Sequence, residues 1–173
     1  MKNLRSIEAF SLIELIVVVV IITVFAGLTF AYYYNFTQER NLDAEAKKLV
    51  DILDLAKRKT ASGDSSMCNP AQSSTVDSYM VERTSPTTYR LIANCITGTA
   101  QSVTFTIPAS SNVTITTAGG DQRVTFLTLT SGADPGCFKL QNSLLNPAKC
   151  RYVRVESGGV ITENTANSCS GCP

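Results

Sequence analysis

Residues 9–22 read AFSLIELIVVVVII. The whole stretch is uncharged except Glu14, which stands just ahead of the most apolar part of the sequence. Continuing outward, residues 15–31, LIVVVVIITVFAGLTFA, carry no charge either. With Phe10–Ile13 they give roughly 20 largely apolar residues, enough to cross a bilayer as helix. Tyr32, Tyr33 and Tyr34 follow at once, an aromatic cluster suited to a membrane–water interface. On the other side, residues 1–9, MKNLRSIEA, are short and polar and include Lys2 and Arg5. A carboxylate beside lipid is expensive, so Glu14 needs a positive partner, and none lies nearby within the helix.

The helical pattern runs past the tyrosines. From Gln38 to Lys59 there is neither Gly nor Pro. Leu42, Ala46, Leu49, Leu53 and Ala56 recur at alternating steps of four and three, which predicts one apolar stripe on an amphipathic helix. Glu39, Arg40, Asp43, Lys47, Lys48, Asp51, Asp54 and Lys57 mostly take the other face, as solvated charge. Ala61-Ser62-Gly63-Asp64 ends the pattern, with Gly63 as the C-cap. A single helix over residues 10–61 is expected, about 75 Å long at 1.5 Å per residue. No proline interrupts it, so no kink is expected. Its first half is apolar all round and requires lipid or other helices. Its second half is apolar on one side and requires a domain folded against it.

Beyond the helix the composition shifts to Ser, Thr, Val and Gly. Short β-like runs are predicted at residues 79–83, 89–93, 102–107, 113–116, 123–130, 152–156 and 160–162. Val103, Phe105 and Ile107, like Val124 and Phe126, alternate with Thr, as on a sheet with one buried face. Gly119-Gly120-Asp121 and Ser157-Gly158-Gly159 read as turns. No second long helix is apparent, and the tail NTANSCSGCP reads as a polar loop held by disulfides. The fold class is therefore α+β: a long N-terminal helix packed on a C-terminal antiparallel β-domain. The expected segments are 1–9, 10–34 (membrane or filament-core helix), 35–61 (amphipathic helix) and 62–173 (β-rich domain).

The 173 residues carry 15 Lys+Arg and 14 Asp+Glu, and without residues 1–9 the charge is balanced. Bulk charge thus points to no polyanionic partner. Histidine is absent, which removes the commonest general acid/base and metal ligand. No Ser sits in a G-x-S-x-G and no Gly-rich loop precedes a Lys, so neither hydrolase nor nucleotide-binding chemistry is encoded in a known pattern. The chain reads as a non-enzyme, without cofactor or metal. Asp121 and Asp134 lie in Gly-containing loops, where turn formation outweighs calcium binding.

Cys68, Cys95, Cys137, Cys150, Cys169 and Cys172 all follow the apolar run. An even number confined to one side of a membrane segment predicts disulfides outside the cytoplasm. Proximity in sequence favours Cys68–Cys95 and Cys137–Cys150, leaving Cys169–Cys172 as a small loop. Free thiols are the alternative. A zinc site on Cys169 and Cys172 is weaker still, because no second CxxC exists.

Cleavage between Ala9 and Phe10 would create an α-amino group four residues before Glu14. If helices of neighbouring subunits are staggered, one subunit's amine reaches another's carboxylate, and Glu14 then sets register. The short basic leader, A|FSLIEL and the apolar helix together resemble the class III signal of type IV pilins and type II secretion pseudopilins. That resemblance implies cleavage by a prepilin peptidase at Ala9–Phe10 and N-methylation of Phe10. It also implies an assembly role for Glu14, and as partners other pilin or pseudopilin subunits, an assembly platform and the membrane. The family's usual residue before the cut is Gly, and Ala9 departs from it. An ordinary signal peptide cut near residues 29–31 explains the apolar run but neither Glu14 nor the stripe that continues in phase. A plain signal anchor is the other alternative, and flanking charge does not orient it.

The ending RYVRVESGGVIT resembles the last strands of the H-type pseudopilins and related minor pilins. Some relatives bind DNA through basic residues near that last turn. Lys149, Arg151 and Arg154 are the matching candidates, although solvated surface charge is the simpler reading. Arg151 and Arg154, three apart on a strand, would face opposite sides. The expected function is a structural subunit, minor pilin or pseudopilin, of a type IV pilus or type II secretion filament. It would be a single-pass precursor in the cytoplasmic membrane and then part of a periplasmic or extracellular filament. The alternative is a tip subunit that binds DNA or another surface ligand.

Overall fold

The structure is a computed structural model. It describes residues 11–68, 75–96, 100–117, 123–128, 132–145, 147–166 and 169. Ala9, Phe10, Asp121 and Cys172, the leader and the turn at residues 119–121 lie outside the described residues. The chain divides at Phe36/Thr37 into two compact units.

One α-helix, α1, runs Leu12–Ser62. In its first part the large hydrophobic side chains from Leu12 to Phe25 are all exposed, and this stretch is long and apolar enough to cross a membrane. Thr23 is the polar exception, and its hydroxyl donates to the carbonyls of Val19 and Val20 at 3.0 and 2.8 Å. Satisfying it within the helix leaves no orphan donor on an apolar surface.

The second unit contains the rest of α1 and eight strands. These are β1 (Val76–Ser85), β2 (Thr88–Cys95), β3 (Gln101–Thr106), β4 (Val113–Thr117), β5 (Arg123–Leu127), β6 (Gly136–Asn142), β7 (Cys150–Val155) and β8 (Ile161–Ala166). They form two four-stranded antiparallel sheets, ordered β3-β2-β1-β5 and β4-β6-β7-β8. The predicted stripe is the helix's contribution to the core: Leu42, Ala46, Leu49, Leu53 and Ala56 are each 0–1% exposed. They share one apolar cluster with Tyr79, Val81, Leu91, Val124 and Phe126 of the first sheet and Ile115, Phe138, Leu140, Val153 and Val155 of the second. Burying each Leu is worth about 1.5–3 kcal/mol, so the stripe fixes which face of the helix the sheets cover.

Gly63 has φ +62°, and the Gly63 and Asp64 N–H groups donate to the Thr60 and Lys59 carbonyls at 3.1 and 3.0 Å. This paired capping satisfies two carbonyls that the helix leaves open, and a side chain at Gly63 would be strained. Asp64 then accepts from Lys59 Nζ and Ser66 N–H, and its carbonyl accepts from Tyr79 Oη at 2.6 Å. Helix end and β1 are thereby joined.

Several expectations require correction. Gly136–Asn142 is a strand, although its Asp134-Pro135-Gly136 start reads as turn chemistry alone. The residues after it, with Phe138, Leu140 and Asn142 buried and Lys139 and Gln141 between them, alternate as a strand should. β8 continues to Ala166, so the first residues of the supposed tail loop are ladder, paired with β7. Val103 lies on the core-facing side, opposite Leu91, yet is 46% exposed because β3 is an edge strand. Cys68 does bond to Cys95, but Cys150 bonds to Cys169, so neither the expected Cys137–Cys150 pair nor the Cys169–Cys172 loop forms. The register explains this: Cys137 faces Arg154 while Cys150 faces Gln141. Four residues of strand separate them by about 13 Å, beyond the reach of a disulfide. Cys137 is disulfide-bonded as well.

Candidate functional site

The exposed apolar part of α1 is the most distinctive surface of the first unit. Glu14 lies in its first described turn, with an exposed side chain. The Ser11 carbonyl accepts from the Glu14 and Leu15 N–H groups at 3.0 and 3.2 Å. Ser11-Leu12-Ile13-Glu14 has the S-x-x-E spacing of a helix-capping sequence, and a carboxylate in a first turn is favoured by the helix dipole. Tyr32, Tyr33 and Tyr34 are 79, 67 and 50% exposed.

In the second unit, two of the candidate basic residues, Lys149 and Arg151, hold the helix. Lys149 Nζ lies 2.6 Å from Glu39 Oε1. Arg151 Nε donates to Asp43 Oδ1 at 2.7 Å, and its guanidinium also lies 4.0 Å from Glu163. Beside these pairs, Asn142 is 1% exposed and its Nδ2 donates to Gln38 O, Gln38 Oε1 and Ser111 O at 3.2, 3.0 and 3.1 Å. Its Oδ1 accepts from Leu144 N–H at 2.9 Å. Gln38 and Glu39 lie in one turn and Asp43 in the next, so this polar clasp fixes the rotation and register of α1 on the second sheet. Glu39 and Asp43 are therefore not free solvated charge. Arg154 lies on the opposite face of β7 from Arg151, as strand alternation requires.

The clasp's central member, Asn142, is the residue the sequence did not single out. It ends β6, the strand missed by pattern, and a lone Asn beside Ser143 carries a turn signal. Only the strand's alternation, which puts position 142 on the face of Phe138 and Leu140, pointed inward.

The opposite face of the second sheet carries Cys137, Cys150 and Tyr152, all buried. Cys169 lies over them through its bond to Cys150, and Lys139 Nζ donates to the Cys169 carbonyl at 3.1 Å. On the first sheet Tyr89 is 3% exposed and stacks on Phe105 at 5.5 Å. Burial, followed by the fields of Glu45 and Asp51, pushes its phenol up to about 12.

Among the described residues nothing resembles a reaction centre, and no three His, Cys, Asp or Glu side chains converge as a metal site. A cleft of about 160 Å³, lined by Lys57, Thr60, Phe126 and Thr128 among others, is small. Small-molecule sites usually have about 300–1,000 Å³.

The arrangement of one long helix on an antiparallel β-domain matches a solved structure, the type IV minor pilin FimU of Pseudomonas aeruginosa strain PAO1. The TM-score is 0.55 over 78% of this chain and 98% of that one, at 14% sequence identity. The chain has a pilin-like fold. No family model and no curated protein matches the sequence.

Proposed function

We propose that this chain is a structural subunit of a type IV pilus or type II secretion filament. In this reading residues 1–9 are a leader that a prepilin peptidase removes between Ala9 and Phe10, and Phe10 is then N-methylated. Residues 10–34 hold the precursor in the cytoplasmic membrane and later pack among neighbouring helices in the filament core. Glu14 pairs with a neighbour's N-terminal amine and sets the stagger. Residues 62–173 form the outward domain, and the work of the subunit is assembly rather than catalysis.

The observation that carries the reading is the bare apolar helix joined to a pilin-like fold. From Leu12 to Phe25 every large hydrophobic side chain is exposed. Each gains about 1.5–3 kcal/mol on burial, so the stretch requires lipid or other helices around it. FimU is a minor pilin, and the shared fold supports a pilin-like subunit, minor pilin or pseudopilin alike. The DNA-binding alternative has less support, since Lys149 and Arg151 already face Glu39 and Asp43.

The test is intact mass and N-terminal sequencing of membrane-expressed protein, with and without its prepilin peptidase. The expected product begins at Phe10 and carries one added methyl group. A product beginning near residue 32, or an uncut precursor in the presence of active peptidase, would overturn the proposal.

A further inference from the structure

Cys137 and Cys150 flank the segment that supplies the polar clasp. Asn142 and Lys149 lie between them, and Arg151 follows at once. The two cysteines are thirteen positions apart in sequence, whereas Cys150 and its partner Cys169 are 19 apart. Cys137 is disulfide-bonded too. Its nearest neighbours among the cysteines, Cys95 and Cys150, are held by Cys68 and Cys169. The bond of Cys137 therefore skips over at least one cysteine.

Chain order works against that connectivity. A chain is made, and follows its membrane helix out, from the N-terminal side onward. Cys68 and Cys95 come first, and their bond joins consecutive cysteines. Cys150 then arrives with Cys137 free beside it and Cys169 still to come. Loop length adds little, since closure entropy favours the shorter loop only about twofold. The order of arrival makes Cys137–Cys150 the first bond available to an oxidant.

The sheet does not reject this wrong bond by pattern. In the native ladder Cys137 faces Arg154 and Cys150 faces Gln141. A slip of four residues brings Cys137 opposite Cys150, and because four is even every side chain keeps its face. The slip instead destroys the clasp. Arg151 moves from its place opposite Leu140 to one opposite Gly136, so Asn142 and Arg151 no longer meet Gln38 and Asp43 together. In the finished domain Cys137 and Cys150 are both buried, out of reach of an attacking thiolate. Exchange therefore has to precede closure of the second sheet.

We propose that this chain is a substrate of a thiol–disulfide isomerase, a dithiol protein that opens a Cys137–Cys150 bond and frees Cys150 for Cys169. The isomerase thiolate bonds Cys137 Sγ, the Cys137–Cys150 bond breaks, and Cys150 leaves as a thiolate. That thiolate bonds Cys169 Sγ and breaks the disulfide that holds it. The thiolate released there bonds Cys137 Sγ and displaces the isomerase. Each step forms one S–S bond and breaks one, so the isomerase is returned as it entered and no net oxidant is consumed. The inference rests on export of the domain behind α1 and uses no filament contact.

The experiment expresses the full-length protein in a bacterium with and without its periplasmic disulfide isomerase. Free thiols are alkylated, and disulfide-linked peptides of the membrane-extracted protein are quantified by mass spectrometry as fractions of the total. Cys150–Cys169 is expected in the first strain. In the second, Cys137–Cys150 should accumulate and the native bond should fall at least about threefold, because uncatalysed reshuffling takes up to hours. Cys137→Ser removes the early partner, so its Cys150–Cys169 bond should be equal in the two strains. Should that variant fail to fold, the wild-type peptides decide alone. Equal native bond in both strains overturns the proposal. So does loss of the native bond without Cys137–Cys150 appearing, or a folded Cys137→Ser that still needs the isomerase. Cysteines that stay reduced in both strains overturn the proposal together with the export it rests on. None of these readouts involves the N-terminus, so a failure of leader cleavage or assembly is seen separately.

Discussion

Asn142→Ala tests whether the polar clasp holds the helix. The side chain is buried; the two Nδ2 hydrogens are shared among three acceptors, and Oδ1 accepts one further bond. Truncation leaves Gln38 Oε1 without this donor, on a side chain that is itself only 7% exposed. An acceptor stranded in the interior costs about 1–3 kcal/mol, and the smaller side chain adds a void. The expected loss is about 2–4 kcal/mol. For a protein of this size each kcal/mol moves the midpoint by roughly 2–4 °C, so Tm should fall by about 5–15 °C. The sequence has no Trp, and Tyr79, Tyr89 and Tyr152 are buried. Loss of the near-ultraviolet circular dichroism of these buried tyrosines therefore reports unfolding of the domain, while the exposed Tyr32, Tyr33 and Tyr34 change little. Gln38→Ala and the double variant complete a cycle, with an expected coupling of about 1 kcal/mol or more. The reasoning is refuted if Asn142→Ala unfolds within about 0.5 kcal/mol of wild type, or if the two losses simply add.

Leu49 is 0% exposed at the centre of the helix stripe, and Leu49→Ala should cost about 2–5 kcal/mol in denaturant unfolding. The Lys59 ammonium, then the Ser66 N–H and hydroxyl, lower Asp64 to about 2 from its ordinary 3.8. A lowered folded value means that its contribution is present above pH 3.8 and fades as pH falls through about 2. Carboxyl NMR titration should show this, with the shift shrinking in Lys59→Met. Cys150 and Cys169 are 19 residues apart. On the loop-entropy model, replacing both with Ser should lower stability by about 3 kcal/mol. Limited proteolysis should then cut first in the segment that follows β8.

The helix was legible because its determinants are local. The step-four, step-three recurrence of Leu42, Ala46, Leu49, Leu53 and Ala56 is a property of 3.6 residues per turn, and Gly63 supplies a conformation other residues resist. The bare apolar run was equally plain, since its length and lack of charge need no partner to be read. Most strands showed through alternation, a period-two signal that each strand carries within itself. The pairing of the strands left no such trace. Cys150 meets Cys169 rather than Cys137 because ladder register, not separation in sequence, decides which residues are neighbours. Lys149 and Arg151 look like a surface patch in the sequence, yet face Glu39 and Asp43 more than a hundred positions away. Asn142 resembles any turn residue until Gln38 arrives, 104 positions distant. Secondary structure and the apolar surface follow from neighbours in sequence. Which charges are free and which are bound follows only when tertiary packing brings distant residues within reach of a short-range force.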